Sequence, residues 1–406
     1  MPGADTMQTA VQLRMLDRPE QFLEFKDVWL KLETLNNQPN FFQSYAWCGH
    51  TSEVLSRFHP DSYAPLVAIG MRNNDVVAIW PLSRQKRSGI WHLRALDDPF
   101  GQISGMLYAD ADAAKDLVAA TLKHVRDNRL ADALRIDRVS AQCPLSEALR
   151  AIGATSRGEI GAPMIDMTQW TSFEALKASR NKKTMKNLRN ANNRLAKAGA
   201  HEHCVETGNA KVGEIVRATL RQRGAWLEDK GLTSPQFRSA AHEEILSAGD
   251  RWGLDQMRTG FALKCDGSVI AQQWGYIHNK RYYAYMSATD PKAVQLSPGR
   301  LHLAFVIADA MRAGLDAIEF LTPATDYKLV WTDSVRTLCD FAMPLSVKGK
   351  VHDLVWERTV RRALKTIFYA LPLSLRRRVV PRNDEMGTGN MGTGNTGTGN
   401  DVDGPN

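Results

Sequence analysis

Apolar residues in the first half of the chain recur with two different periods. Phe22, Phe25, Trp29 and Leu32 lie three or four positions apart, which predicts a helix with one buried face. The apolar runs that follow are short and are bounded by turn residues, which is typical of strands. The pattern predicts a hairpin, a strand, a helix and a further strand, at 66–72 with 76–83, 91–96, 117–125 and 134–139.

The second half of the chain repeats this order of elements. A turn at Asp266-Gly267 joins apolar runs at 261–265 and 269–277, and a strand around Tyr283, a helix from Gly299 and a strand at Ile318 follow. The spacing between the two series is too long for a solenoid. We therefore predict two structurally similar halves.

The stretch 281–331 contains the features most informative about function. An aromatic strand at 281–286 is followed by Ser297-Pro298-Gly299-Arg300, where serine suits an N-cap and proline suits the first helical turn. The unpaired backbone N–H groups of a helix start, together with Arg300, favour a bound phosphate. Helix capping alone explains the same residues, so both interpretations stay open at this point.

Three short motifs in this stretch resemble a known family. Gln295-Leu296-Ser297-Pro298-Gly299, Ala313-Gly314-Leu315 and Asp326-Tyr327-Lys328 are similar to the C-terminal signature of GNAT-related acyltransferases of the BioF2-like or CelD type. The resemblance covers Phe22 to Leu345. It implies an α/β (α+β) fold of two tandem GNAT-like acyl-CoA N-acyltransferase domains, with mixed sheets flanked by helices. Ser-Pro-Gly stands where the common GNAT pattern has a run of glycines and a basic residue.

The resemblance also implies a donor and its site. Acyl-CoA, in the first instance acetyl-CoA, is the implied donor substrate, and the residues implied to receive its pyrophosphate are Ser297, Pro298, Gly299 and Arg300. No metal is expected.

Acyl transfer needs an acid for the leaving thiolate and groups that hold the acceptor. Tyr327 is our candidate general acid, because many GNAT enzymes have a tyrosine just past the fifth strand; a core position is the alternative. Lys328 is a candidate for binding phosphate or the acceptor, and Asp326 for positioning the amine, although both also suit a helix start. Candidate substrate-binding residues on the two strands are Tyr283, Tyr285 and Glu319.

The resemblance and the composition of successive segments together imply the domain organisation. We predict a loose leader at 1–20, an N-terminal GNAT-like domain at 21–170, a basic linker helix at 171–198, a C-terminal GNAT domain of the BioF2-like type at 199–346, a basic amphipathic helix at 347–382 and a disordered low-complexity tail at 383–406.

The formal net charge of +8 favours an anionic partner. Basic residues between Lys177 and Lys197 occur without an acidic one, which indicates either a solvated linker helix or an electrostatic collar for a phosphate-rich donor. Aromatic residues that could stack on bases are absent from that run, which argues against nucleic acid.

The segment 356–382 could lie on an anionic membrane or pack on the domain with its arginines in water.

The cysteines indicate a reducing compartment. Cys48, Cys143, Cys204, Cys265 and Cys339 are scattered and form no Cys-x-x-Cys pair. We expect a cytoplasmic protein, with a peripheral position at the inner membrane face as the alternative.

His201-Glu202-His203-Cys204 has metal-ligand residue types, but no second ligand pair accompanies it.

Three functional hypotheses follow. The first is an acyl-CoA-dependent N-acyltransferase acting on a small-molecule amine, such as an amino sugar or a precursor in exopolysaccharide or cellulose biosynthesis. The second is a FemABX-like transferase that uses aminoacyl-tRNA, the one case in which a nucleic acid is expected. The third is a non-catalytic accessory protein of a polysaccharide-synthesis complex.

Overall fold

The computed structural model describes residues 11–35, 40–229 and 239–360, together with 363, 366, 367 and 370. The chain divides into two compact units. Unit 1 comprises the described residues of Met1–Glu159 and Leu338–Thr366. Unit 2 comprises those of Ile160–Thr337 and those beyond Thr366.

The described helices and strands are numbered here in chain order. The helices are α1 (Lys26–Leu35), α2 (Tyr45–Phe58), α3 (Ala111–Asp127), α4 (Pro144–Ala151), α5 (Phe173–Ser179), α6 (Lys182–Ala198), α7 (Asn209–Asp229), α8 (Ala240–Ser247), α9 (Pro298–Arg312), α10 (Asp326–Leu329) and α11 (Val347–His352). The strands are β1 (Gln12–Leu16), β2 (Tyr63–Pro65), β3 (Val67–Arg72), β4 (Asp75–Trp80), β5 (Leu82–Arg87), β6 (Ile90–Ala95), β7 (Leu107–Tyr108), β8 (Ala133–Ser140), β9 (Thr155–Asp166), β10 (His201–Glu206), β11 (Arg258–Cys265), β12 (Ser268–His278), β13 (Arg281–Thr289), β14 (Ala317–Glu319) and β15 (Ser334–Pro344).

Unit 1 contains two groups of hydrogen-bonded strands. One has the order β1-β3-β4-β7 and the other the order β15-β8-β6-β5-β2. β6 and β8 are parallel, with His92 opposite Ala133, and α3 lies between them in the chain. The apolar stripe of α3, which includes Leu117 and Leu122, is buried in the core of this unit.

Unit 2 contains one group of strands, in the order β10-β11-β12-β13-β14-β9. The pairings are antiparallel except that of β13 with β14, which is parallel. α9 lies between β13 and β14 in the chain, and Val306 and Ile307 on this helix are buried together with Tyr282 and Ile318. The predicted repeat of hairpin, strand, helix and strand is therefore present in both units.

The structure corrects the predicted leader at 1–20. Gln12–Leu16 forms β1, which pairs antiparallel with β3 from Gln12 opposite Met71 to Leu16 opposite Val67. A short segment of this kind is stabilised by the ladder it joins, which lies over fifty residues later in the sequence and leaves no local signal. Residues 1–10 lie outside the described part of the chain.

Two strands change the predicted domain boundaries at 170 and 346. β9 begins in unit 1 and ends in unit 2, whereas β15 begins in unit 2 and ends in unit 1. The closing strand expected at 340–346 is Ser334–Pro344. Local periodicity cannot locate a boundary inside a strand, because the alternation of side chains is the same on both sides of it.

The predicted linker at 171–198 is part of unit 2. Ala191 and Leu195 of α6 are buried with Leu301 of α9. Arg194 on α6 donates from Nε to the carbonyl oxygen of Gln295 and from a terminal nitrogen to Ser297 Oγ, each at 3.0 Å. The opposite face of α6 remains basic and exposed.

The predicted amphipathic helix at 347–382 is described only at its beginning. α11 is followed by a π-helical segment, Asp353–Val360, on which Leu354 is 62% exposed. The tail at 383–406 lies outside the described residues, and membrane contact through 356–382 stays a prediction. Within the described part of the chain, no helix has the length and apolar character needed to cross a membrane.

A β-bulge interrupts the pairing of β12 with β13. Trp274 is opposite Met286 while Gly275 is opposite Ala284, so the register advances by one residue at Tyr285. A Cβ atom at Gly275 would lie 2.0 Å from the carbonyl oxygen of Tyr283. Only glycine allows the two backbones to approach this closely, because that contact is far shorter than any real Cβ contact.

We expect Gly275→Ala to lower the free energy of unfolding by about 2 kcal/mol, because the backbone must move to remove the overlap. Gly224→Ala is the matched control, since Gly224 lies in α7 with no atom within 4 Å of the added Cβ, and alanine there should stabilise the helix by ~1 kcal/mol or less. Chemical denaturation measures both. Equal midpoints for Gly275→Ala and the wild type would show that the bulge is not required.

Candidate functional site

Two parallel strands of unit 2 separate after a short contact. β13 and β14 pair only from Arg281 with Ala317 to Tyr283 with Glu319. β13 then continues to Thr289, whereas β14 ends at Glu319. Beyond Tyr283 the β14 side of β13 therefore has no strand partner, and we call this space the β13–β14 gap.

Aromatic stacking holds the bulge that borders the gap. The ring of Tyr285 stacks on Trp274 with centroids 5.0 Å apart and meets Tyr276 edge-on at 5.9 Å. Trp274 Nε1 donates to Thr219 Oγ1 on α7 at 2.8 Å. The bulged strand is thereby fixed to α7, which lies beside the predicted substrate residue Tyr285.

The start of α9 differs in detail from the predicted N-cap. Ser297 is left-handed, with φ of 52° and ψ of 50°, and its side chain does not cap the helix. Its hydroxyl instead accepts a hydrogen bond from Arg194, so the first N–H groups of α9 have no serine cap. Pro298 is buried, and a Cβ at Gly299 would lie 3.2 Å from Thr289 Cγ2 at the end of β13. Arg300 is exposed.

Tyr327 on α10 borders the β13–β14 gap. The residue is 46% exposed, more than is usual for a tyrosine of the core. Desolvation of the phenol raises its pKa, and the neighbouring hydroxyls of Thr325 and Ser287 and the Arg223 cation oppose that rise. Because Ser287 belongs to β13, the structure brings Tyr327 to the strand that borders the gap.

Lys328 follows Tyr327 and is held by the loop after β14. Its Nζ donates to the carbonyl oxygens of Pro323 at 3.0 Å and Leu321 at 3.3 Å. Desolvation, and next the Arg223 cation, lower the pKa of Lys328 to about 8. Asp326, which precedes both residues, is exposed in the first turn of α10.

Arg223 on α7 is a member of this site that the sequence did not reveal. Its guanidinium lies over the ring of Trp226, 4.4 Å from the centroid, and desolvation lowers its pKa. It acts electrostatically on both Tyr327 and Lys328. The Arg-x-x-Trp spacing of one helical turn was the available signal, but it says nothing of a contact with residues about one hundred positions later.

Two predicted substrate residues are buried instead. Glu319 is 0% exposed and forms ion pairs with Arg281 at 3.0 Å and Arg336 at 3.2 Å. Tyr283 is also 0% exposed. Since neither side chain reaches solvent, their assignment as substrate-binding residues is corrected to a structural one.

The equivalent separation of strands in unit 1 is occupied by the protein itself. Beyond the β6 and β8 pairing, Arg94 binds Asp98 at 2.6 Å and Asp137 at 3.0 Å. Ser104, from the loop after β6, donates its backbone N–H to the Arg138 carbonyl and pairs with Val139 of β8. The first turn of α3 also has a side-chain cap. The Asp110 carboxylate accepts a hydrogen bond from the backbone N–H of Ala113 at 2.7 Å.

The metal-ligand residue types at 201–204 lie on β10. His203 Nδ1 is 3.0 Å from Asp309 Oδ2 on α9. Among the residues that the structure describes, no group of three or more His, Cys, Asp or Glu side chains could hold a metal ion.

We expect Lys328 to titrate at a pH of about 8, well below the ~10.4 of an unperturbed lysine, because desolvation and the neighbouring cation disfavour its charged form. The ¹³Cε chemical shift measures this, with the signal assigned by its loss in Lys328→Met. Arg223→Gln removes the neighbouring positive charge and should move the midpoint to higher pH. A midpoint near 10 in the wild type would contradict the desolvated position of the amine.

Comparisons with known proteins agree with this geometry. Residues 182–329 match the family described as an acetyltransferase (GNAT) domain. No curated protein matches the chain. The solved structure of FemX is similar with a TM-score of 0.56 at 12% identity, covering 84% of this chain and 99% of FemX.

Two further solved structures have lower scores. A C-terminal DUF2156 domain of a putative lysylphosphatidylglycerol synthetase from Agrobacterium fabrum has a TM-score of 0.49 at 12% identity, covering 82% of this chain and 97% of that one. A tandem GNAT protein from the clavulanic acid biosynthesis pathway has a TM-score of 0.48 at 12% identity, covering 82% and 99%.

At these identities a structural likeness establishes the fold alone. The predicted α/β fold, with two GNAT-like units whose mixed sheets are flanked by helices, is confirmed. The residues around the β13–β14 gap lie, for the most part, inside the matched range. The range that matches an acetyltransferase (GNAT) domain, 182–329, lies within unit 2.

Proposed function

We propose that this protein is an N-acyltransferase that binds acyl-CoA in unit 2 and transfers the acyl group to a small-molecule amine. The observation that carries the proposal is the β13–β14 gap, with the uncapped start of α9 beyond the end of β13 and Tyr327 beside it. The family match of residues 182–329 supports the same assignment.

The donor phosphates are assigned to the start of α9. The first backbone N–H groups of a helix have no acceptor within the helix and lie at the positive end of its dipole, which favours an anion. Ser297 does not cap them, and Pro298 and Gly299 add no bulky polar side chain. Arg300 is exposed and forms no ion pair within the described residues, so it is available to a phosphate.

The acyl chain is assigned to the β13–β14 gap. Backbone N–H and C=O groups along an open strand edge can pair with the amides of an extended ligand. The same edge offers N–H donors to the acyl carbonyl oxygen, on which negative charge develops in the transition state. The bulge at Tyr285 changes the direction of these groups, which is a common use of bulges next to active sites.

The reaction then needs one proton for the leaving group. The neutral amine nitrogen attacks the acyl carbonyl carbon and an N–C bond forms. The C–S bond breaks, the thiolate takes a proton, and the nitrogen releases one of its own protons to solvent as it becomes an amide. Tyr327 is our choice for this acid, since its raised pKa keeps the phenol protonated at neutral pH. The Arg223 cation stabilises the phenolate left behind. Lys328 and Asp326 are assigned to the acceptor side of the same helix.

The finer identity follows from the sequence motifs. We assign the chain to the BioF2-like or CelD type, with acetyl-CoA as donor and an amino sugar or related precursor of exopolysaccharide or cellulose as acceptor. The motifs at 295–299, 313–315 and 326–328 support this subtype.

A specific observation favours a second candidate, an aminoacyl-tRNA-dependent transferase. The fold is similar to that of FemX, and α6 exposes Lys182, Lys183, Lys186, Arg189 and Lys197 on the face opposite its buried stripe. A helix of 17 residues is about 25 Å long, so these basic side chains are spread along an extended face. The non-catalytic accessory role is the third candidate, and a measured turnover would exclude it.

We expect Tyr327→Phe to reduce kcat by roughly 10²-fold or more, because the ring is kept while the proton donor is lost. The melting temperature and the affinity for acetyl-CoA should barely change, since this side chain is 46% exposed. Tyr108→Phe, at a partly buried tyrosine of unit 1, is the control and should keep full activity. Unchanged turnover in Tyr327→Phe would remove this residue from the chemistry.

We expect calorimetry to show one acetyl-CoA per chain, because the equivalent space in unit 1 is filled by Arg94 and Ser104. Gly299→Asp should abolish all binding, since it adds a side chain and a negative charge at the phosphate position. Arg300→Ala should weaken binding, whereas Arg312→Ala at the other end of α9 should not. Two sites in the wild type, or one remaining site in Gly299→Asp, would show that the donor binds elsewhere.

A further inference from the structure

The helix that follows β15 exposes its apolar side chains. Val347, Val351, Leu354 and Val355, which we call the α11 stripe, are between 52% and 77% exposed. They lie three or four positions apart, from α11 into the π-helical segment that continues it, so they share one face of the helix. Apolar side chains that stay in water along one continuous face indicate a surface that an apolar partner covers.

The opposite face of this helix packs on unit 1 and is formed by small and polar residues. Ser346 Oγ donates to Asp132 Oδ1 at 2.8 Å, and a Cβ at the buried Gly349 would lie 1.9 Å from the Asp132 carbonyl oxygen. Asp353 pairs with Arg157 at 2.5 Å. A helix on a protein surface normally buries its apolar side. Because these contacts fix the reverse orientation, the α11 stripe faces solvent as part of the fold.

Basic residues flank the α11 stripe. Lys348 and Lys350 are exposed and lie on either side of it around the helix axis. Lys348 Nζ is 3.9 Å from Asp132 Oδ2, the longest ion-pair distance of this helix. The sequence keeps this character, since residues 347–382 contain ten Lys or Arg and two Asp or Glu. The apolar face is therefore set in a positively charged segment, which favours a partner that is both apolar and anionic.

The charge also argues against a partner from the protein itself. Residues 361–382 contain seven basic residues and no acidic one, so folding them over the α11 stripe would bring like charges together. A second copy of the chain would present the same two lysines beside its own stripe, with the same repulsion. An anionic lipid surface instead offers acyl chains to the valines and leucine and phosphate groups to the lysines.

We propose that the α11 stripe lies on an anionic lipid surface, with Lys348 and Lys350 at the level of the lipid phosphates. The contact is peripheral, since the side chains of one helix face reach only the boundary between headgroups and acyl chains. It begins ahead of the segment 356–382, in residues whose orientation the fold of unit 1 fixes. The proposal is independent of the acyl transfer assigned to unit 2.

Vesicle binding of the full chain tests the apolar contact. Flotation measures the partition coefficient on phosphatidylcholine vesicles and on vesicles with about 30 mol% phosphatidylglycerol. We expect at least about tenfold tighter binding to the anionic vesicles, and the double variant Val351→Asn with Leu354→Gln should weaken that binding about tenfold or more. Absence of binding by the wild type, equally tight binding to neutral vesicles, or no effect of the double variant would overturn the proposal.

Leu23→Gln with Leu35→Gln is the matched control. These leucines also lie in unit 1 and are 51% and 50% exposed, so the change removes a similar apolar area away from the α11 stripe. The control should bind anionic vesicles within about twofold of the wild type. A loss as large as that of the stripe variant would show that binding has no defined apolar contact, which contradicts the proposal.

Photo-crosslinking identifies the occupant and does not depend on the stability of the double variant. The probe p-benzoylphenylalanine is placed at Leu354, and the protein is irradiated in the presence of the anionic vesicles. Mass spectrometry should detect an adduct of this position with a lipid, whereas the same probe at Leu23 should give none. Cross-links from position 354 to residues 361–382 or to a second copy of the chain, in place of lipid adducts, would overturn the proposal.

Discussion

The ion cluster around Glu319 fixes the point at which the two parallel strands of unit 2 separate. Glu319 is the last residue of β14 and is completely buried between Arg281, the first residue of β13, and Arg336. Removing Glu319 would take from both arginines the carboxylate that they share, which is strongly destabilising for poorly exposed charges. The ion cluster therefore stabilises the parallel contact of β13 with β14. The proposed donor site and the proposed catalytic residues lie beyond this contact, where β13 continues without β14.

Both units contain a strand, a helix and a second strand parallel to the first, but they differ in what lies beyond the parallel pair. In unit 2 β13 continues beyond the parallel pair without a strand partner on the β14 side, and the helix that follows starts without a side-chain cap. In unit 1 the same positions hold Arg94 with its two aspartates, Ser104 paired to β8, and the Asp110 cap on α3. The same order of elements in one chain thus differs between the two units in the side chains and the loop that lie beyond the parallel pair.

The charged groups of unit 2 differ in whether a carboxylate side chain pairs with them. Where arginine and carboxylate are both buried, they neutralise each other, as at Glu319. Arg223, which is exposed, and Lys328 form no ion pair among the residues that the structure describes, and desolvation lowers the pKa of each. The pKa of Tyr327 is raised by desolvation, and the Arg223 cation opposes that rise, so the proposed site combines a proton donor with a cation that would stabilise its phenolate.

The sequence by itself determined most of the elements and supplied the residues from which the site is proposed. Hydrophobic periods of two and 3.6 residues predicted the hairpins, strands and helices. The starts of α9 and α10 were predicted from Pro298-Gly299 and Asp326-Tyr327-Lys328. These signals can be recognised in the sequence because they act over a few neighbouring residues. Only the tertiary structure decided the strand β1, the boundaries inside β9 and β15, the burial of Tyr283 and Glu319, and the position of Arg223 beside Tyr327. Each of those depends on partners far away in the chain, and a local pattern carries no information about which distant residue will fill a space or balance a charge.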